Sequence, residues 1–210
     1  MTTDSHWNDI YTTKSQNEVS WFQDPPGESL RLILKHSKPS DAVVDVGAGA
    51  SLLVDHLFGH GYGDISIVDV STVALDAVRQ RLLEKGHLVT TYATDVTTWV
   101  PPQKFGVWHD RAVFHFLVTD DQQRAYVDTV ARTIEPNGVV IIGAFGLTGP
   151  SSCSGLPVQR HSVESLADAF SSVGTLIDSS CETHMTPWGA EQDFVWTVIR
   201  AGTTLRYPHS

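Results

Sequence analysis

The chain has 210 residues, of which 41% are hydrophobic and 18% are charged, proportions typical of a globular protein with one sizeable core. Its 14 Lys and Arg residues against 24 Asp and Glu residues give a formal net charge of −10. That charge repels a phosphate backbone, and no Lys/Arg cluster offsets it locally. We therefore exclude nucleic acid as a partner.

The N-terminal segment is polar and interrupted by aromatic residues, unlike a signal peptide. No apolar run approaches the roughly 18 residues that a membrane helix needs. We expect a soluble, cytoplasmic protein with no membrane partner. The two cysteines, Cys153 and Cys181, have no metal-type spacing, so we expect two reduced thiols.

Pro25, Pro26 and Gly27 separate an N-terminal arm from the rest of the chain, in which no repeat or linker marks a second division. The prediction is an aromatic arm over residues 1–27 and a single domain over residues 28–210.

The arm carries Trp7, Tyr11, Trp21 and Phe22, which are costly to leave in water. We expect it to fold over the edge of the domain as a lid, with plain packing on the core as the alternative.

From residue 28 onward, segments of helical periodicity alternate with apolar runs typical of buried strands. Such alternation predicts parallel strands joined by right-handed crossovers. Helices are predicted over residues 28–37, 51–60, 71–86 and 120–134, and strands over 42–47, 64–70, 87–96, 104–110 and 138–145.

The last stretch has a different pattern. A helix is predicted over residues 162–174, followed by strands over 175–184 and 193–200 with a turn at Pro187 and Gly189. This hairpin would add an antiparallel strand to a mostly parallel sheet.

The segment VVDVGAGAS, residues 43–51, ends a strand with an acid and two glycines before a helix begins. Gly47 and Gly49 allow a tight turn and the close approach of a ligand. Dinucleotide-binding proteins use a similar turn, but the third glycine of their pattern is Leu52 here. Asp45 would oppose a pyrophosphate, whereas it suits the ammonium and sulfonium of S-adenosylmethionine. The motif therefore favours S-adenosylmethionine over a nicotinamide cofactor.

The next two strands also end in acids. The second strand ends in IVDV, which places Asp69 just past the strand, where its oxygens can accept hydrogen bonds from both ribose hydroxyls. Asp95 and Val96 end the third strand, where they can contact the adenine edge. Ligands of open α/β sheets bind along the carboxyl ends of the strands, so we expect these residues to converge.

With VVDVGAGAS, IVDVS, ATDV and FGVWHDRAVFHFL as successive motifs, the chain resembles class I S-adenosylmethionine-dependent methyltransferases over about residues 43–145. The HWxxxY stretch from His6, the SWF at 20–22 and the Asp110-Arg111-Ala112 step resemble a subgroup of small bacterial methyltransferases, which is similar to eukaryotic elongation-factor lysine methyltransferases. The resemblance implies a Rossmann-like α/β fold, with a seven-stranded, mostly parallel sheet of order 3-2-1-4-5-7-6, an antiparallel seventh strand and helices on both faces. One departure is that Ala50 and Ser51 follow the second glycine, where the family often has a third.

We assign these residues to the cofactor site, from the motifs, the resemblance and the arm: Asp45, Gly47, Ala48, Gly49, Asp69, Val70, Asp95, Val96, His109 and Trp21.

The candidates for a catalytic role lie in the fourth-strand motif and are Asp110, His109 and His115. Methyl transfer depends mainly on positioning, but an amine acceptor must arrive neutral, which a nearby acid–base group can assist. We expect Arg111 to pair with a neighbouring acid rather than to bind an acceptor carboxylate. His161 and His184 lie too far apart in sequence for a metal motif, so no metal is predicted.

We therefore predict an S-adenosylmethionine-dependent methyltransferase acting on a protein lysine or a small molecule. The segments 146–161 and 183–194 are expected to shape the acceptor rim. Two alternatives remain, a nicotinamide-dependent oxidoreductase, which would need an intact phosphate-binding loop, and a non-catalytic module that binds the cofactor without turnover.

Overall fold

A computed structural model describes residues 3–203. The helices are α1 (Thr3–Thr13), α2 (Gly27–His36), α3 (Leu53–Gly59), α4 (Thr72–Glu84), α5 (Asp120–Thr133) and α6 (Val163–Ala169). The strands are β1 (Val43–Val46), β2 (Ile65–Asp69), β3 (Thr90–Ala93), β4 (Phe105–Arg111), β5 (Ile134–Phe145), β6 (Ser152–Cys153), β7 (Leu156–Pro157), β8 (Gly174–Met185) and β9 (Glu191–Ala201).

Seven strands form one sheet in the order β3-β2-β1-β4-β5-β9-β8. The pairs among β1 to β5 are parallel, and β9 is antiparallel to both of its neighbours. The short antiparallel pair β6 and β7 precedes the last two strands, so the predicted sixth and seventh strands are β8 and β9. The predicted sheet order and the antiparallel last strand are confirmed.

Apolar side chains cover both faces of the sheet, because successive residues of a strand point to opposite sides. On one face, Trp108 of β4 belongs to a cluster that includes α5. On the other face, Val107 belongs to a cluster that includes α2 and α4. The same alternation places His109 and Arg111 with Val107, and Asp110 with Trp108.

Several elements differ from the predicted pattern, including the β6–β7 pair, which was not predicted, and β3, which is shorter than the predicted 87–96. The arm contains a helix, α1, in which Trp7 and Tyr11 stand four residues apart and so share a side. Helix α6 ends at Ala169, within the predicted range 162–174, because poor helix formers follow it. Strand β5 begins at Ile134, which pairs with Phe105 before the register shifts.

Tyr126 of α5 links the core to the turn after β4. Its hydroxyl accepts a hydrogen bond from Nε1 of Trp108 at 2.9 Å and donates one to Oδ2 of Asp110. Asp110 also accepts from the backbone amides of Val113 at 2.8 Å and Phe114 at 3.1 Å. Because Trp108, Asp110 and Tyr126 are all fully buried, each polar group depends on the others for its partner.

We expect Tyr126→Phe to lower the free energy of unfolding by about 1–3 kcal/mol, because it leaves the buried indole N–H of Trp108 without a partner. Urea unfolding followed by circular dichroism measures this change. Arg124→Ala is the matched control on the same helix, since it removes only an exposed ion pair with Asp121. Equal stability of the two variants would contradict a structural role for the Tyr126 hydroxyl.

Candidate active site at the carboxyl edge of the sheet

Two neighbouring cavities lie at the carboxyl ends of the parallel strands. The larger has a volume of about 290 Å³ and is enclosed by the N-terminal arm, the ends of β1 to β5 and the start of β9. The smaller has a volume of about 50 Å³ and lies between the segment before α2 and the loop after β1. Gly47, Trp21 and Arg111 line both cavities.

The loop after β1 has the backbone that its glycines predict. Gly47 and Gly49 have φ angles of 63° and 53°, in the left-handed region that favours glycine. A Cβ at residue 47 would lie 1.9 Å from Cγ2 of Val113, and one at residue 49 would lie 2.1 Å from the Tyr11 hydroxyl oxygen. The amide of Gly47 donates to the carbonyl of Val68 at 2.7 Å, which ties the loop to β2.

Asp69 holds this loop against the end of β2. Its Oδ2 accepts from the amide of Gly49 at 2.8 Å, and its Oδ1 accepts from the amide of Ser71 at 2.8 Å. Burial raises the pKa of Asp69 to about 6, against the lowering effect of these two hydrogen bonds. Each oxygen keeps a second lone pair, and Asp69 lines the larger cavity.

Asp45 and His109 form a buried pair on adjacent strands. Oδ1 of Asp45 lies 2.7 Å from Nδ1 of His109, and both residues line the smaller cavity beside Ala48. The His109 ring stacks on Trp196 with a centroid distance of 6.1 Å. Its Nε2 is buried and has no hydrogen-bond partner among the described residues.

Residues that follow β2 and β3 form one wall of the larger cavity. Val70 after β2 and Val96 after β3 contribute apolar surface, and Asp95 lies beside Val96. Asp95 is exposed, and its Oδ1 accepts from the amide and the hydroxyl of Thr97 at 2.8 and 2.7 Å. Asp95 therefore stabilises its own turn in addition to facing the cavity.

Two of the three catalytic candidates lie outside both cavities. Asp110 is fully buried on the α5 side of β4, and burial raises its pKa to about 6. His115 is also fully buried, its Nδ1 accepts from the amide of Phe145 at 3.3 Å, and burial lowers its pKa to about 3. Neither side chain is among the residues that line the two cavities. His109 is the catalytic candidate that lines a cavity.

Among residues 3–203, Arg111 forms no ion pair of the kind expected, and the neighbouring Asp110 points to the opposite face of β4. Nη1 of Arg111 donates to the carbonyl of Trp21 at 2.9 Å, and the guanidinium carbon lies 4.7 Å from the centroid of the Phe194 ring. Nε and Nη2 are buried without a hydrogen-bond partner in the part of the chain that the structure describes.

The rim segments and the end of β5 contribute cavity residues that the sequence did not assign to the site. Phe145, Cys153, Leu156, Gln192 and Phe194 line the larger cavity from β5, the β6–β7 pair and β9. The signal that pointed to them was the Gly, Pro and Trp content of the two loops, which indicates shaped loops without saying which side chains turn inward.

The N-terminal arm lies over the same edge. Trp7 packs edge-on against Trp21 and Phe116, with centroid distances of 5.8 and 5.4 Å. Oδ1 of Asn8 accepts from the Ser71 hydroxyl at 2.8 Å, which anchors α1 to the start of α4. Tyr11, which was predicted only as part of the arm, lines the larger cavity beside the loop after β1.

Among residues 3–203, none of the helices has both the length and the apolar character that a membrane span requires. The same range holds no group of three or more His, Cys, Asp or Glu side chains arranged to bind a metal ion.

Comparison with known sequences identifies related proteins. Residues 43–138 match the methyltransferase domain family. The bovine eEF1A lysine and N-terminal methyltransferase is 24% identical over 176 residues, which cover 82% of this chain and 24% of that protein. The zebrafish EEF1A lysine methyltransferase 2 is 24% identical over 167 residues, covering 70% of each chain. The chain thus spans about a quarter of the length of relatives such as the bovine protein.

Solved structures share the fold over nearly the whole chain. The N-methyltransferase NodS from Bradyrhizobium japonicum, in complex with S-adenosylhomocysteine, superposes with a TM-score of 0.75 at 14% identity, covering 96% of this chain and 99% of NodS. A structure from a study of the conversion of a disulfide bond into a thioacetal group during echinomycin biosynthesis gives a TM-score of 0.79 at 19% identity, covering 96% and 94%. The chain therefore shares the fold of these solved structures, and residues 43–138, which contain the glycine loop and Asp69, match the methyltransferase domain family.

Proposed function

We propose that this chain binds S-adenosylmethionine along the carboxyl edge of the sheet and transfers its methyl group to a nucleophilic acceptor. The observation that carries the proposal is the position of the glycine loop, Asp69, Val70 and Val96 around one cavity. The loop lets a ligand approach the backbone, and Asp69 accepts from the two ribose hydroxyls. Val70 and Val96, with Asp95 beside them, contact the adenine.

The amino-acid end of the cofactor fits the smaller cavity. Asp45 and His109 lie there with Ala48 and Gly47, and Trp21 lies where the two cavities meet. A buried carboxylate at this position favours a ligand that brings an ammonium and a sulfonium, and it disfavours a pyrophosphate. The oxidoreductase alternative is therefore not favoured.

Catalysis then rests on positioning. The methyl carbon is already activated by the sulfonium, so the domain must hold the acceptor nucleophile in line with the breaking bond and exclude water. Phe145 and Phe194 supply apolar surface where β5 and β9 reach the larger cavity. His109 lines the smaller cavity and pairs with Asp45, so we assign it to the amino-acid end of the cofactor rather than to the acceptor.

The acceptor class is a protein lysine or a small molecule. The curated relatives include eEF1A lysine methyltransferases, and the structural relatives include 1,6-didemethyltoxoflavin-N1-methyltransferase of Burkholderia thailandensis, which superposes with a TM-score of 0.69 at 18% identity. Both kinds of acceptor suit the enclosed rim formed by the β6–β7 pair and β9.

The function is tested by incubating the protein with methyl-labelled S-adenosylmethionine and a cell lysate split into protein and small-molecule fractions. We expect label to enter one fraction and to fall at least about tenfold with Asp69→Ala, which removes the ribose acceptor. Asp76→Ala, an exposed acid on α4, is the matched control. Binding of S-adenosylhomocysteine without labelling of either fraction would support the non-catalytic alternative.

Affinity for S-adenosylhomocysteine should rise between pH 5 and 7, because a pKa of about 6 means that Asp69 becomes ionised over this range. The ionised carboxylate accepts hydrogen bonds more strongly than the acid, so we expect a gain of about 5- to 10-fold by calorimetry. Asp69→Asn should remove this rise in affinity. A rise of the same size in that variant would assign the titration to another group, such as Asp110.

We also propose that residues 1–27 act as a lid on this site. Trp7→Ala should weaken S-adenosylhomocysteine binding by about 10-fold, because it removes the aromatic contacts that hold α1 over the larger cavity. Trp188→Ala is the control, since Trp188 is 61% exposed on the β8–β9 turn. Equal affinities of the two variants, measured by calorimetry, would show that the arm packs on the domain without closing the site.

A further inference from the structure

Arg111 has an incomplete set of partners for a buried cation. Its guanidinium carries five N–H donors, of which Nη1 bonds to the carbonyl of Trp21, while Nε and Nη2 are enclosed and unpartnered among residues 3–203. The acid that influences it, Glu182, is already engaged by Nε2 of Gln23 at 2.7 Å and by Nε1 of Trp196 at 2.9 Å. No carboxylate of the described chain therefore completes the site.

An uncompensated buried cation is costly to maintain. Removing such a charge from water is strongly unfavourable unless an anion and hydrogen bonds compensate. Burial lowers the pKa of Arg111 to about 10, so the side chain stays cationic at neutral pH. The face of Phe194, 4.7 Å away, offsets part of the cost but satisfies no donor.

The position of Arg111 indicates what the missing partner is. The side chain lies in the wall shared by the two cavities, beside Gly47 and Trp21. The planar fork of a guanidinium matches the two oxygens of a carboxylate. On the side of the smaller cavity, Asp45 supplies the opposite charge, which together with Arg111 complements an α-amino acid zwitterion.

We propose that Arg111 anchors a ligand carboxylate at the junction of the two cavities. The inference rests on the proposed function and adds to it that the guanidinium of Arg111 binds a carboxylate. This carboxylate has two possible sources, the amino-acid end of the cofactor on the side of the smaller cavity and an acceptor acid on the side of the larger one. A purely structural Arg111 would need only the bond to Trp21 and the Phe194 contact, and would leave Nε and Nη2 without a role.

The first arm of the test compares wild type, Arg111→Lys and Arg111→Met for binding of S-adenosylhomocysteine and of 5′-methylthioadenosine, which lacks the amino-acid group. If the cofactor is the source, Arg111→Met loses about 10- to 100-fold in affinity for S-adenosylhomocysteine and less than about threefold for 5′-methylthioadenosine. The affinity of Arg111→Lys for S-adenosylhomocysteine lies between those of wild type and Arg111→Met, because an ammonium keeps the positive charge but cannot form two parallel hydrogen bonds to a carboxylate. Arg160→Met, which removes an exposed arginine from the segment after β5, is the control.

The second arm uses the protein saturated with S-adenosylhomocysteine. If an acceptor acid is the source, benzoate binds to wild type, benzamide does not, and Arg111→Met loses benzoate binding while keeping both nucleosides. The proposal would be overturned if Arg111→Met bound S-adenosylhomocysteine, 5′-methylthioadenosine and benzoate with affinities within about threefold of those of wild type. An equal loss for both nucleosides, with a lower melting temperature, would also overturn it, because it assigns Arg111 to the fold.

Wild-type protein that binds neither S-adenosylhomocysteine nor 5′-methylthioadenosine would refute the proposed function itself, independently of the affinities of the variants. The ligand-free melting temperature supplies one further readout, since replacing an unpaired buried charge with methionine is expected to leave it unchanged or higher.

Discussion

The attachment of the loop after β1 to the end of β2 is the constraint on which the site depends. Gly47 donates to the carbonyl of Val68, and Gly49 donates to the carboxylate of Asp69. Both positions require glycine for two reasons. The backbone there is left-handed, which disfavours other residues, and a Cβ would collide with Val113 at residue 47 or with Tyr11 at residue 49. The same bonds bring the ends of two parallel strands together and leave room above them for a ligand.

The face alternation of β4 then decides which side chains reach that room. One residue of shift moves a side chain from one face of the sheet to the other. Asp110 consequently joins Tyr126 and Trp108 in the core, whereas His109 and Arg111 turn toward the cavities. The consecutive residues His109, Asp110 and Arg111 therefore have different surroundings. His109 and Arg111 contribute to the charge of the edge, whereas Asp110 does not line the cavities.

The described edge carries charges of both signs in a fixed order. Asp69 stands at the end of β2, Asp45 pairs with His109 between β1 and β4, and Arg111 ends β4. These charges would complement the hydroxylated sugar, the cationic centre and the carboxylate of the cofactor that we propose. The low dielectric of the enclosed edge strengthens each of these interactions relative to water.

The sequence by itself determined the order of the helices and strands from α2 onward apart from the β6–β7 pair, and the placement of Asp45, Asp69 and Asp95 at or near strand ends. Its family resemblance determined the sheet topology. These properties follow from local periodicity and from the rule that parallel strands end at one edge. Only the tertiary structure decided that Asp110 and His115 are buried away from the cavities and that α1 places Tyr11 beside Gly49. It also decided that Arg111 has no acid partner among residues 3–203. The reason is that a side chain's partners come from segments distant in sequence, which periodicity and motif spacing do not encode.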